Sequence, residues 1–308
     1  MTMRPFLVRL LATLTDSLRR SMEPKHLDRT EIEPLLRSIP QDAVILEVGG
    51  GYRPRYRKSD YPNVYHLDHC GTEALRVKYA ADPTVAHLVD DIQAIDFVST
   101  AAPIETLVPP DLKFDVIYGS HVLEHQVDFI GHLQSLEKLL KPGGRVIEVI
   151  PDLRTCFDAL RYPTVTSEVL LVHRQRPPVH QGKQVFDFES RIIDKNIGRR
   201  MRLADFKEVR FRHSLRDAYE AMLAADTPGQ PYRDSHAWTF TPESFRLLMI
   251  ELRLLDLTQL VPAYISRPYG NQFCAVLART GAPLASMAAT DVQQLERERL
   301  ALAIRLRL

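Results

Sequence analysis

From residue 42 onward, short apolar runs alternate with stretches of helical periodicity. Val44-Ile45-Leu46-Glu47-Val48 runs into three glycines, and Val64-Tyr65-His66-Leu67-Asp68 closes on a carboxylate. Runs this short, bounded by turn residues, are the pattern of strands buried on both faces of a parallel sheet. Residues 72–81 have helical character and stop at Asp82-Pro83. Residues 87–92 read as a short third strand and Phe114-Asp115-Val116-Ile117-Tyr118-Gly119 as a fourth. A helix over 127–140 gathers Phe129, Ile130, Leu133, Leu136, Leu139 and Leu140 on one side. It ends at Lys141-Pro142-Gly143-Gly144, where proline cannot continue the helix and glycine permits the turn into a fifth strand over 145–150. Alternation at this spacing requires right-handed crossovers, hence an α/β fold with a doubly wound, Rossmann-like, mainly parallel sheet.

The alternation breaks between residues 153 and 236, where helical pieces are mixed with Pro163, Pro177, Pro178, Pro228 and Pro231. This reads as an α-rich insertion after the fifth strand, lying as a lid over the ligand edge of the sheet. Thr241-Pro242-Glu243 has the form of a helix start, with Thr241 as N-cap and Pro242 at the first helical position. That helix runs to about residue 255 and precedes two strand candidates, 257–265 and 272–278. The expected organisation is a helical extension over 1–40, a core over 41–152, the insertion over 153–236, the rest of the core over 237–280, and a terminal helix over 281–308, charged and amphipathic from 291. Residues 1–22 set Phe6, Leu7, Leu10, Leu11, Leu14 and Leu18 among arginines without a cleavage site. They read as an amphipathic helix that packs on its own domain or a sister subunit, or touches a membrane surface peripherally.

Composition narrows the class. The chain of 308 residues is 45% hydrophobic, enough for one sizeable core plus an insertion. Lys and Arg number 40 against 39 Asp and Glu, so the formal charge of +1 gives no overall pull toward nucleic acid. Cys70, Cys156 and Cys274 are odd in number and widely spaced, which suits a reduced compartment, so a cytoplasmic location is expected. No run approaches the roughly 18 apolar residues of a membrane span. Leucines in the terminal helices are compatible with a homodimer.

The strongest chemical signal is Glu47-Val48-Gly49-Gly50-Gly51 directly after a strand. Glycines there let the backbone turn tightly and approach a ligand, the logic also of dinucleotide sites. Glu47 separates the two readings. A pyrophosphate wants helix-terminal N–H groups and no adjacent anion, whereas S-adenosylmethionine carries an ammonium and a sulfonium that a carboxylate attracts. A dinucleotide fingerprint also needs glycine or alanine where Pro54 stands. Asp68, about 20 residues on, suits a ribose diol with either ligand. Asp91, or its neighbour Asp90, could accept from an adenine amino group, with Ile92 as an apolar edge or backbone donor.

Together, residues 44–51, Asp68, the stretch Phe114-Asp115-Val116-Ile117-Tyr118-Gly119-Ser120-His121-Val122-Leu123-Glu124-His125 and Leu140-Lys141-Pro142-Gly143-Gly144 closely resemble the class I S-adenosylmethionine-dependent methyltransferases. The resemblance covers about residues 42–152 and continues more weakly through 236–242, in the manner of enzymes acting on small molecules and glycans. It implies that Glu47, Gly49, Gly50 and Gly51 line the methionine end of the donor, Asp68 holds the ribose and Asp91 the adenine, and that Ser120 and His121 close the pocket. The family often has a third glycine where this chain has Arg53, which must redirect the loop.

The acceptor side carries less pattern. Methyl transfer needs an aligned oxygen or nitrogen and exclusion of water, with a base for a hydroxyl. His125, His180 and His236 are base candidates, with Asp152 at the end of the fifth strand as an alternative. His121, Glu124 and His125 invite a metal reading, but His121 sits where a strand ends, and roles as cap and packing groups at that junction account for them; no metal is expected. Arg191, Lys195, Arg199, Arg200, Arg202, Lys207, Arg210, Arg212 and Arg216 outnumber the acids around them. They form either a grip for an anionic acceptor or a solvated basic face. The expectation is methyl transfer to a small-molecule or glycan acceptor, a hydroxyl in the first instance. The rivals are an NAD-dependent oxidoreductase or epimerase and a non-catalytic scaffold of the same fold.

Overall fold

A computed structural model of the chain describes residues 29–99, 102–196, 199–200, 205 and 207–307. The amphipathic stretch expected over 1–22 lies outside them. Among the described residues seven strands form one sheet: β1 (Ile45–Val48), β2 (Val64–Asp68), β3 (Phe97–Val98), β4 (Phe114–Ser120), β5 (Leu140–Pro151), β6 (Leu260–Ile265) and β7 (Gln272–Arg279). The helices are α1 (Arg29–Arg37), α2 (Thr72–Ala80), α3 (Phe129–Leu139), α4 (Thr166–Gln175), α5 (Gly182–Glu189), α6 (Leu215–Ala225), α7 (Pro242–Leu254) and α8 (Ala289–Arg305). The strand order is β3-β2-β1-β4-β5-β7-β6, and within this sheet β7 runs antiparallel to both its neighbours while the other pairs are parallel. After β1 the chain builds outward through β2 and β3, then returns to the other side of β1 as β4. The crevice at the carboxyl ends of β1 and β4 is therefore the topological switch point, where open α/β sheets take their ligands.

Alternation along the strands divides the core. Leu46, Ile117, Val146, Ile150 and Leu277 face one side, packed with the apolar stripes of α3 and α7, while Ile45, Val116, Ile147 and Val276 face the other with Ile32, Leu36 and Tyr56. Asp128 caps α3 by accepting from the Gly131 N–H at 2.9 Å, and Thr241 caps α7 with Pro242 in its first turn, as the sequence predicts.

The third strand is a correction. Residues 86–91 form a 3-10 turn, Ala86–Asp91, with none of them buried, and the strand that pairs with β2 is Phe97–Val98. The edge of β2 is claimed by the later segment: Asp96 N–H donates to the His66 carbonyl at 2.8 Å, Ser99 N–H to that of Asp68 at 2.7 Å, and the Asp96 carboxylate accepts from His66 N–H at 2.8 Å. The fifth strand also starts earlier than expected, at Leu140, with a register shift against β4 between Phe114 and Val116.

In the insertion α5 packs on α6, where the Asp226 carboxylate accepts from Gly182 N–H at 2.7 Å. The terminal helix α8 is tied to α7 by the pairs Arg246–Glu298 and Arg299–Glu251. Among the described residues no helix is long and apolar enough to cross a membrane.

Glu148 on β5 is buried beside its β4 partner Gly119, and a Cβ at Gly119 would lie 2.4 Å from Glu148 Oε2. Gly119→Ala is therefore expected to destabilise the chain by about 1–3 kcal/mol through overpacking. Most of that loss should disappear when Glu148→Ala is added, which a double-mutant cycle by urea denaturation would read.

Candidate active site

The loop after β1 is built around one carboxylate. Glu47 is 1% exposed; its Oε1 accepts from Arg55 N–H at 2.6 Å and its Oε2 from Tyr56 N–H at 2.9 Å. Residues 49–54 thus leave the strand and return to its last carboxylate. Burial pushes the Glu47 carboxyl up to about 7, against the pull of those two N–H donors. Gly49 and Gly51 take left-handed φ values of 67° and 49°. A Cβ on Gly49 would lie 2.4 Å from Val122 Cγ2, so only glycine lets the loop come this close to the end of β4. Arg53, in the position of the third glycine, is exposed with its guanidinium over its neighbour's ring, Tyr52, at 5.8 Å.

Asp68 ends β2 nearby. Its Oδ2 accepts from Gly51 N–H at 3.1 Å and its Oδ1 from His69 N–H at 2.7 Å, with His69 Nδ1 at 2.6 Å from the same oxygen. A carboxylate has about four lone-pair sites, so capacity remains for a ribose hydroxyl. Tyr79 of α2 stacks edge-on against Tyr52 at 4.8 Å, its hydroxyl beside Gly51. Asp91 pairs with Arg57 at 2.9 Å and Ile92 is buried behind it, so both precede β3 instead of following it. An adenosyl ligand with a cationic methionine end fits this crevice: side-chain-free backbone at Gly49–Gly51, a buried carboxylate below it, and spare acceptor capacity on Asp68.

Beyond β4, His121 takes a left-handed φ of 56°, held by its N–H on the Val149 carbonyl at 2.9 Å and its Nε2 2.7 Å from Gln272 Oε1. The turn Leu123–His125 follows. Glu124 there is 1% exposed, and among the described residues neither of its carboxylate oxygens accepts a hydrogen bond. Three imidazoles face its Oε1: His121 Nδ1 at 3.6 Å, His125 Nε2 at 3.8 Å and His236 Nε2 at 3.9 Å. His236 arrives from 111 residues along the chain on an extended segment, which Trp238 N–H ties to the Glu124 carbonyl at 3.1 Å and the Trp238 indole to the Gln126 carbonyl at 2.6 Å.

The outer nitrogens of His125 and His236 each lie beside a carboxylate. His236 Nδ1 lies 2.5 Å from Asp158, itself paired to Arg161 at 2.9 Å, and His125 Nδ1 lies 2.9 Å from Asp234. Burial opposes the charge on His125, but Asp234 and Glu124 outweigh it and raise its pKa; contact with His125 draws Asp234 down to about 2. Asp234 also faces Lys78 of α2, the helix after β2, at 3.9 Å.

The other two base candidates are engaged. Both ring nitrogens of His180 face carbonyls, those of Arg233 and His125, each at 2.9 Å, and Asp152 is fully buried under Arg154 at 2.7 Å. The structure thus places His125 and His236 beside Glu124, His180 between two carbonyls and Asp152 against Arg154. Asp158 and Asp234 escape sequence reasoning because they lie in an aperiodic insertion, where nothing marks a carboxylate as a partner of a distant histidine.

The raised carboxyl of Glu47 has a signed consequence. The folded chain keeps a proton that the unfolded chain releases near pH 4.5, so stability falls as pH rises from about 4.5 toward 7, by up to about 1.4 kcal/mol per pH unit. Glu47→Gln should flatten that slope in urea denaturation between pH 5 and 8, while costing about 1–2 kcal/mol at low pH because its amide group opposes a backbone N–H.

A family model described as a methyltransferase domain matches residues 23–252. Among solved structures, the chain is similar to the CcbJ methyltransferase from Streptomyces caelestis at 18% identity, covering 43% of this chain and 51% of that one with a TM-score of 0.30. It is similar to the glycopeptide N-methyltransferase MtfA, solved with S-adenosyl-L-methionine, at 21% identity over 39% and 53% of the two chains, TM-score 0.28. It is also similar to the methyltransferase CalH in complex with SAH, at 14% identity over 81% and 55%, TM-score 0.39. The chain spans about half the length of these solved proteins. No curated protein matches it. With that match over most of its length, and with this sheet order and glycine loop, the chain belongs to the methyltransferase-domain family and has the class I S-adenosylmethionine-dependent fold.

Proposed function

We propose that the chain transfers a methyl group from S-adenosylmethionine to a hydroxyl of a small-molecule or glycan acceptor by in-line displacement. The observation that carries this reading is the packing of Gly49 of the glycine loop on Val122, in the segment after β4 that also bears His125, whose ring lies 4.6 Å from that of His236. In this reading the Gly49–Gly51 backbone receives the methionine end and Glu47 offsets its positive charge. Asp68 binds the ribose, Asp91 with Ile92 the adenine edge, and Ser120 with His121 line the reacting end. His125 or His236 takes the hydroxyl proton; the oxygen forms a bond to the methyl carbon, the carbon–sulfur pair stays on sulfur, and neutral S-adenosylhomocysteine leaves. The acceptor's chemistry follows the rim, where Arg191 stacks over Tyr162 at 4.6 Å and Arg212 over Phe157 at 5.5 Å, with Phe157 against His236 at 4.8 Å. Guanidinium groups there favour an acceptor with a carboxylate or phosphate.

Isothermal titration with S-adenosylmethionine, S-adenosylhomocysteine and NAD tests the donor. The two adenosyl ligands should bind, at least tenfold more weakly in Asp68→Ala, and NAD should not; binding of NAD alone would overturn the reading. With a panel of anionic hydroxyl acceptors, His125→Ala and His236→Ala should lower kcat by about 10²–10⁴-fold without changing donor affinity.

A further inference from the structure

We propose that Glu124, His125 and His236 form a binding site for one divalent transition cation, zinc(II) in the first instance, at the acceptor side of the crevice. The gathering of two imidazoles at a buried carboxylate without a hydrogen bond among the described residues carries this assignment. An imidazole whose Nδ1 carries its proton toward a carboxylate has only a lone pair at Nε2. Asp158, at 2.5 Å from His236 Nδ1, holds that ring in this arrangement, Asp234 lies 2.9 Å from His125 Nδ1, and the Nε2 atoms of His125 and His236 lie 3.8 and 3.9 Å from Glu124 Oε1. Glu124 is 1% exposed and neither of its oxygens accepts a hydrogen bond among the described residues. Three potential ligand atoms thus surround a buried point at which the carboxylate lacks a donor, an arrangement that a positive ion would relieve.

The geometry suits a small ion. The three ligand atoms lie within 4.8 Å of one another. Ligands at zinc distances of about 2.0–2.2 Å in a tetrahedral shell are about 3.4 Å apart, so side-chain shifts of well under 1.5 Å close the site. Two imidazoles and one carboxylate are a donor set of catalytic zinc sites, which keep a fourth position open, and carboxylates behind the histidines are the usual outer support of such ligands. His121 Nδ1 lies 3.6 Å from Glu124 Oε1. The ion's part in catalysis rests on the methyl-transfer reading, whereas the binding site does not. If that reading holds, a cation here stabilises the acceptor oxygen as its proton leaves, and His125 and His236 become ligands instead of bases.

The test is equilibrium dialysis of the full chain, stripped with chelator, against micromolar zinc chloride, with metal content read by atomic emission. One zinc per chain is expected. Glu124→Gln and His236→Ala should each lower the affinity at least 100-fold, and Asp158→Asn, which keeps all three ligands, about 10–100-fold. Cobalt(II) added to the unmutated chain should give the visible absorption of a four- or five-coordinate nitrogen and oxygen site, which holds whether or not any variant folds. Absence of saturable zinc binding in the unmutated chain, or equal binding by the folded variants, would overturn the site. Titration of the same proteins with S-adenosylhomocysteine separates the two ideas: donor affinity unchanged in the variants supports a distinct metal site, while failure of the unmutated chain to bind it removes the methyl-transfer reading and leaves zinc binding to be judged on its own result.

Discussion

Two backbone N–H groups converging on the buried Glu47 carboxylate shape the crevice on which the rest of the site depends. A carboxyl group brought this far from water needs hydrogen-bond partners, and the loop beyond β1 supplies them by folding back at Arg55 and Tyr56. Once the loop is committed to that return, Gly49 is pressed against Val122 and Gly51 N–H is delivered to Asp68. One electrostatic requirement therefore couples the ends of β1, β2 and β4. Arg53 is accommodated because the same return leaves its side chain in solvent.

The acceptor side is organised by the same rule and reaches a different result. Asp158 and Asp234 each find an imidazole, Arg161 supports the first and Lys78 faces the second, yet Glu124, at the centre, is left facing three ring nitrogens without a hydrogen bond among the described residues. At this point both oxygens of one buried carboxylate are left without a hydrogen bond among the described residues, beside three ring nitrogens. Functional sites are where such local conflict persists, supported by the surrounding packing.

Much of the core is legible in the amino-acid sequence. The strands at 44–48, 64–68 and 114–119, the helix over 72–80, the Thr241-Pro242 cap and the two closing strands follow from short apolar runs and punctuation by glycine and proline, which act within a few residues. The third strand misleads because its edge is chosen by competition: the apolar stretch at 87–92 could have paired with β2, but the carboxylate of Asp96 reaches His66 N–H and gives the later segment the edge. Likewise His180 and Asp152 look as free as His125 in the sequence, and only their carbonyl and arginine partners separate them.

The sequence by itself determined the layer architecture, the glycine loop with its carboxylate and the acidic end of β2, because periodicity and close-range sterics are properties of neighbours along the chain. Only the tertiary structure decided which histidines meet: His236 is 111 residues from His125, and it reaches Glu124 because backbone hydrogen bonds from Trp238 and Leu153 lay an extended segment across the ends of β4 and β5. Contacts of that kind depend on how separate segments share one edge of a sheet, and no local pattern encodes them.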